Sequence, residues 1–317
     1  MLESIKPNDR DHWLQLRTQD LTSTEISALF GLSPYMTEYE LWHRKQSGDV
    51  VELEPNERME WGLQLEAQIA AYIAEKRGWE IESFDAYHRD PECRIGASFD
   101  FLIVGGATDR DLPGLLEIKN VDGLVYRNKW IDDGEGNVEA PEHIELQVQH
   151  QMLLAGVSWA AIGVLVGGNS HRVIFREADR VVQTAIMRAA AKFWQSIDDN
   201  NPPSADYSAD AKLIIDMHQH AQKGQVLQAD MPLEVLIAAY AELSKEAAKV
   251  ESEKKALKAE ILEQIGTASK VVTSFGSLTC SEVKGSPGTM VTPDMVGKHI
   301  NPRAGYRLFR VNTKKES

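Results

Sequence analysis

The sequence is poor in cysteine. Its 317 residues hold two, Cys93 and Cys280, too few and too far apart for a disulfide framework or a zinc-ligand spacing. It has no long apolar run. None approaches the ~20 residues of a membrane span, and the polar, charged N-terminus does not read as a signal peptide. The expectation is a soluble, cytoplasmic protein. Positive charge is short as well, with 34 Lys+Arg against 48 Asp+Glu and a net charge of −14. That argues against a general nucleic-acid binder with a basic surface, and leaves room for a localised cationic groove. The acidic surplus is uneven, because from Lys284 onward seven Lys/Arg meet only two acids. Three catalytic signatures are missing: G-x-x-x-x-G-K-S/T, G-x-S-x-G and H-E-x-x-H. Their absence leaves P-loop kinases, serine hydrolases and zincin proteases without support.

What is present, 43% hydrophobic and 26% charged residues, is enough for one large domain or a core with an appendage. The chain is organised around Gly96 to Lys119. Asp100 opens the apolar run Phe101-Leu-Ile-Val104, a Gly- and Asp-rich turn follows, and Leu115-Leu-Glu-Ile-Lys119 closes the segment. Two such runs joined by turn residues predict a hairpin. Strand side chains alternate, so Glu117 and Lys119 share one face while Leu116 and Ile118 take the other. Antiparallel pairing would bring Asp100 to Glu117 and Lys119 at one sheet edge. Two carboxylates held together suit Mg²⁺ or Mn²⁺, although an acid at a strand end also occurs as a plain solvated edge.

The rest supplies company for that edge. A short helix around Trp13–Arg17 is followed by Leu21-Thr-Ser-Thr-Glu25, which reads as a cap entering a helix from Glu25 to Phe30. Arg17, Thr22 and Thr24 would gather at that helix start, as a phosphate pocket or as an ordinary cap beside a surface arginine. Met59 to Arg77 reads as a helix with the stripe Met59, Leu63, Ile69, Ala70 and Ile73. Glu66 lies on this stripe, costly there unless paired or metal-bound, or else at its edge and reaching solvent. Glu80 to Tyr87 reads as a strand. Asn120 to Ala140, with Tyr126, Arg127, Lys129 and Trp130, reads as a loop or arm that could lie on nucleic acid or be an idle insertion. Pro141 starts a helix running to Ala155, on which Gln147 and Gln151 share a face. Two strands around Gly167–Ser170 form a second hairpin, and Val181–Ile197 is an amphipathic helix. A boundary near Ser204 separates this α/β layer fold, residues 1–204, from residues 205–317. The latter hold a long helix of the coiled or docking kind, Leu233–Ile265, with strands at Lys270–Val283 and Tyr306–Val311.

Arg17 with Thr22 and Thr24, Trp61-Gly62-x-x-x-Glu66, Asp100, Glu117-x-Lys119 and Gln147-Val-Gln149, in this order, resemble the phage-type YqaJ and lambda exonuclease family of the PD-(D/E)XK nuclease superfamily. The resemblance covers about residues 10 to 200 and assigns no role to residues 205–317. It departs at Phe99, where the family pattern has Pro, and at Phe101, where a small residue is usual. It implies a restriction-endonuclease-like core, a central mixed sheet flanked by helices, here with a C-terminal long-helix and small β module. By the same resemblance Asp100, Glu117, the Ile118 carbonyl and Glu66 would ligate two Mg²⁺ or Mn²⁺ ions. Lys119 would orient or help activate the attacking water, and Gln147 would line the site. Arg17, Thr22 and Thr24 would hold a 5′-phosphate. The implied activity is 5′-to-3′ resection of linear double-stranded DNA, leaving a 3′ single strand. The implied partners are a single-strand annealing protein and further copies in a ring-shaped trimer, in a phage or prophage setting. The rivals are a structure- or site-specific endonuclease on the same fold and a non-catalytic DNA-binding or assembly protein.

Overall fold

The two apolar runs around the central turn pair as antiparallel strands, with Phe101 opposite Leu116 and Ile103 opposite Gly114. The computed structural model describes residues 2–50, 57–134 and 137–282. In chain order these form β1 (Glu3–Ile5), α1 (Arg10–Gln19), β2 (Leu21–Thr22), a 3-10 helix (Ile26–Phe30), α2 (Glu38–Ser47), α3 (Glu57–Arg77), β3 (Trp79–Ser83), β4 (Tyr87–Asp90), β5 (Ile95–Ala97), β6 (Phe101–Gly106) and β7 (Gly114–Val121). They continue with α4 (Gly123–Lys129), β8 (Ile131–Asp132), β9 (Val138–Glu139), α5 (Glu142–Ala155), β10 (Trp159–Val166), β11 (Ser170–Glu177), α6 (Arg180–Asp198), α7 (Ala211–Met217), α8 (Met231–Ile265), β12 (Lys270–Thr273) and β13 (Gly276–Thr279). The strand expected at Tyr306–Val311 and the basic tail lie outside the described residues. No helix among the described residues is long and apolar enough to cross a membrane.

The central sheet is mixed, in the order β11-β10-β7-β6-β3. β7 and β10 run parallel with α5 as the crossover, and the other pairs are antiparallel. Alternation sorts the two faces. Leu116, Ile118 and Ala161 pack with Ile69, Ala70 and Ile73 of α3. Leu115, Ala160, Ile162 and Val164 face α5 and α6 on the other side. This is a mixed α/β core, a central mixed sheet flanked by helices. Gly163 on β10 lets α3 come close, because a Cβ there would sit 2.6 Å from Ile73 Cδ1. A second sheet, in the order β1-β4-β5-β2, carries the segment that leads into Asp100.

Three local expectations give way. The run Glu80–Tyr87 is two strands in different sheets, β3 and β4, broken where the chain changes layer. On α3 only the C-terminal half of the stripe is core: Ile69, Ala70, Ile73 and Ala74 are buried, while Met59 and Leu63 are exposed. The sheet lies under one half of the helix, and periodicity alone does not say where cover ends. The described part of the arm at 120–140 holds α4, β8 and β9. Tyr126 and Trp130 stack on each other, 5.4 Å between rings, and are buried, so they are not open to bases. Packing divides the chain into compact units at residues 1–214 and 215–317. Asp210 belongs to the first unit, fully buried with Thr37 Oγ1 donating to it at 2.5 Å.

Candidate active site

Glu117 sits mid-strand on β7 and is 5% exposed, with apolar Leu115 on its own strand and Ile162 of β10 on the same face. A carboxylate there needs donors, and three side chains supply them. Lys119 Nζ donates to Glu117 Oε1 at 2.5 Å, Gln147 Nε2 to Oε1 at 2.5 Å, and Gln151 Nε2 to Oε2 at 2.8 Å. Gln147 Oε1 in turn accepts from Lys119 at 3.2 Å. The shared face of α5 is thus a rack that holds Glu117. Gln151 also donates to the Ser98 carbonyl at 3.1 Å, tying the strand to the segment before Asp100. Gln149, from the expected Gln-x-Gln pair, points elsewhere and donates to the Glu177 carbonyl. Gln151 is the residue that sequence reasoning left without a role. Its signal was there: i and i+4 on a helix meet the same neighbour.

Asp100 lies at the start of β6, and its Oδ2 accepts from the Ile118 N–H at 2.7 Å. Burial, then the Glu117 and Glu66 carboxylates, push the Asp100 carboxyl well above the ordinary range against the pull of Lys119. Glu66 is half-buried, and burial and Glu117 raise its carboxyl too. It lies close enough to Glu117 and Lys119 for their charges to act on it. Burial alone would lower the Lys119 ammonium, but Glu117 and Asp100 more than offset that and hold it above its usual range. Lys119 is a cation at neutral pH, with donors and no acceptor. On the rim, burial and the Lys119 charge lower the His143 imidazole, and exposed Tyr35 meets His143 edge-on at 5.9 Å.

Among the described residues, no group of three His, Cys, Asp or Glu side chains is drawn together tightly enough to hold a metal ion alone. The groups that could serve as donors are Asp100 and Glu117, with Glu66 near enough to raise the Asp100 carboxyl. Their chemistry fits Mg²⁺, which keeps several waters and takes one or two carboxylates plus substrate phosphate. The mutual repulsion of the three carboxylates is what a divalent cation would relieve.

That repulsion has a measurable consequence in metal-free protein. An acid with a raised folded pKa costs stability as pH rises through that pKa. Asp100→Asn, which can still accept from Ile118, is expected to stabilise the fold by about 1 kcal/mol at alkaline pH and by less in acid. Thermal unfolding in EDTA checks this, and a variant less stable at alkaline pH would refute the repulsion account. Adding Mg²⁺ should raise the melting temperature of the wild type and not of the variant.

The Arg17 pocket has a different build from the expected helix start. Glu25 leads into a 3-10 turn of five residues without capping any N–H there. Its Oε2 instead accepts from the Thr22 N–H and hydroxyl, both at 2.8 Å. Arg17 Nη2 lies 3.4 Å from the Thr22 and Thr24 hydroxyls. Thr22 is buried and its proton is committed to Glu25, whereas Thr24 is exposed beside the guanidinium. Beneath them Lys45 of α2, 8% exposed, ion-pairs with Glu25 at 2.9 Å. It also donates to the Arg17 and Asp20 carbonyls, each at 2.7 Å. Burial pulls the Lys45 ammonium below its usual range. Burial would raise Glu25, but Lys45 and Arg17 hold it below the usual carboxylate range. Asp20, fully buried, takes Arg89 at 2.8 Å and Tyr87 Oη at 3.2 Å. Gly96 makes room for that phenol, since a Cβ there would lie 2.0 Å from Tyr87 Oη.

The two groups are joined by contacts. Arg17 lies over the Trp13 ring at 4.6 Å, and Trp13 Nε1 donates to Ser98 Oγ at 2.8 Å. Ser98 is the residue whose carbonyl takes Gln151, two positions before Asp100. One line of contacts therefore runs from the guanidinium to Glu117.

The family model described as "YqaJ-like viral recombinase domain" matches residues 12–158. The chain is 28% identical over 207 residues to the protein named "Uncharacterized protein YqaJ" of Bacillus subtilis (strain 168), covering 64% of this chain and 61% of that one. It thus spans about three fifths of that relative's length. Among solved structures, an alkaline exonuclease (LHK-Exo) from Laribacter hongkongensis is 19% identical, with TM-score 0.45 over 64% of this chain and 99% of that one. A phage related exonuclease from Haemophilus somnus 129PT is 13% identical, with TM-score 0.37 over 57% of this chain and 96% of that one. Over residues 12–158, which hold every residue of the carboxylate cluster and of the Arg17 pocket, the chain matches the YqaJ-like viral recombinase domain.

Proposed function

We propose that this chain is a metal-dependent DNA exonuclease of phage recombination type, resecting linear duplex DNA from a 5′ end to leave a 3′ single strand. The observation that carries the reading is the meeting of Asp100, Glu117, Glu66 and Lys119 at one site, linked through Ser98 and Trp13 to the Arg17 pocket. Hydrolysis of a phosphodiester needs a nucleophilic water and stabilisation of the charge that develops on phosphate. Divalent ions held by Asp100, Glu117, Glu66 and the Ile118 carbonyl would supply both. The chain's own residues do the rest. Lys119, kept protonated by Glu117 and Asp100, cannot take a proton from water. It donates toward the phosphate oxygens and the attacking water, and so offsets the developing charge. Gln147 and Gln151 keep Glu117 from swinging away. Arg17, oriented by two hydroxyls and by the Trp13 ring, holds a 5′-phosphate together with Thr24, which fixes the end relative to the carboxylates. Thr22 serves from below. A single-strand annealing protein and a ring-shaped trimer complete the reading.

The test uses linear duplex DNA labelled at the 5′ or the 3′ end, with Mg²⁺ or EDTA, beside a closed circle. The expected result is Mg²⁺-dependent release of the 5′ label with the circle intact. A nicked circle would favour the endonuclease, and no cleavage with any divalent ion the binding protein. Arg17→Ala should reduce the preference for a 5′-phosphorylated over a 5′-hydroxyl end at least about tenfold, the loss of roughly one charge-assisted hydrogen bond. An unchanged ratio would remove Arg17 from end recognition.

A further inference from the structure

We propose that the ring of Tyr35 is the stacking platform for a nucleobase next to the scissile phosphate. This rests on the nuclease reading of the carboxylate site. On α5, His143 lies one turn before Gln147 and two turns before Gln151, so the three share one face. Gln147 and Gln151 hold Glu117, which puts His143 at the rim of the cluster. Tyr35 meets the His143 ring edge-on, with 5.9 Å between centroids and 86° between planes. Its hydroxyl is also near enough to Lys119 to be among the groups that hold that ammonium above its usual range. Two different elements, α5 and β7, thus locate the same ring at the mouth of the site.

Burial does not account for the ring's place. Tyr35 is 74% exposed, whereas Met36 beside it packs against the core. The loop that carries it is tied at both ends. Gly31, in left-handed backbone at φ +67°, closes the 3-10 helix with its N–H on the Ala28 and Ser27 carbonyls. Ser33 Oγ accepts from the Tyr35 and Met36 N–H groups at 3.2 and 3.3 Å. Pro34 fixes its own φ. Thr37 caps α2 and donates to buried Asp210. A ring presented on such a loop has little freedom left to lose when a ligand binds. His143, lowered by burial and by Lys119, is uncharged at neutral pH and braces the ring as an aromatic neighbour. What flanks a phosphate in DNA is a sugar carrying a base. Every base has a π-face, so a stack accepts any sequence, as an enzyme that removes one nucleotide after another requires.

The test is a cycle between protein and DNA on the full chain. The probe is a 5′-phosphorylated DNA hairpin with one open end, intact or with a tetrahydrofuran abasic residue at its first or its second 5′ nucleotide. Binding is measured with Ca²⁺, so the readout does not depend on cleavage. Wild type should bind the intact end at least about fivefold tighter than the end lacking one of these two bases, the lower part of the range for one aromatic–base stack. Tyr35→Ala should bind intact and abasic ends alike, and Tyr35→Phe should keep the wild-type ratio. Each ratio compares two DNAs on one protein, so a general loss of stability cancels. No preference for the intact end in wild type, or an undiminished preference in Tyr35→Ala, would overturn the stack. A preference lost in Tyr35→Phe as well would make the hydroxyl the contact and would also overturn it. Cleavage of the same DNAs with Mg²⁺ reports on the nuclease reading by itself. A Tyr35-dependent preference without cleavage would uphold the stack and sink the nuclease.

Discussion

Lys119→Ala should leave the chain folded and able to bind DNA while lowering cleavage about 10²- to 10³-fold, the range for loss of one donor aimed at developing charge. Lys119 reaches the site from the end of β7, one side-chain alternation beyond Glu117, and its Nζ bridges Glu117 and Gln147. Removing it takes a lysine contact from the cluster and leaves the carboxylates facing each other, so the site loses the cation that would meet the scissile phosphate. Folding should survive, because Gln147 and Gln151 still donate to Glu117 and the apolar faces of β7 are untouched. Single-turnover cleavage of 5′-labelled duplex measures the loss, and binding with Ca²⁺ in place of Mg²⁺ measures affinity. Cleavage within threefold of wild type would remove Lys119 from the chemistry. A parallel collapse of binding would recast it as a substrate-holding residue.

Lys45→Met should destabilise the protein by about 3–5 kcal/mol, the cost of stranding one charge of a buried pair. Glu25 would lose its 2.9 Å ion pair while still walled in, and two carbonyls, of Arg17 and Asp20, would lose their donor. Exposed ion pairs contribute at most about 1 kcal/mol, so the size of the loss discriminates a buried foundation from a surface contact. Adding Glu25→Leu removes the stranded charge and should recover part of the loss. The remainder, about 1–3 kcal/mol, reflects Thr22 left without its acceptor. Urea unfolding of both variants gives the numbers. The same loosening frees Arg17 and Thr22, so the 5′-phosphate preference should fall in whichever variants remain folded. A loss below 1 kcal/mol for Lys45→Met would sink the account of a buried pair supporting the pocket.

Much of this protein was legible in order along the chain because its signals are local. The hairpin follows from two apolar runs and a turn, α5 from Pro141 to Gly156 from a start and a stop, and the face shared by Gln147 and Gln151 from helical spacing. What sequence reasoning missed depends on cover and on distant partners. Met59 and Leu63 continue the α3 stripe in spacing, yet the sheet does not extend beneath them. Tyr126 and Trp130 look like an aromatic arm in a polar stretch, and are buried because each finds the other one helical turn away. Lys45 had a faint signal, four residues after Leu41 on the buried side of α2, but a lysine at that spacing points to no particular partner.

By itself the sequence determined the central hairpin, the helix α5 and which of their residues share a face, because these rest on interactions within a few residues or on alternation with a fixed period. It singled out Arg17, Glu66, Asp100, Glu117, Lys119 and Gln147 through their resemblance to a family pattern. Only the tertiary structure decided which of them meet. It set Gln151 and not Gln149 on Glu117, sank Thr22 under Thr24, and turned Glu25 into the anchor of a buried pair with Lys45. A hydrogen bond between residues 34 positions apart, such as Gln151 to Glu117, depends on how α5 lies across β7, and that is set by the packing of the whole core.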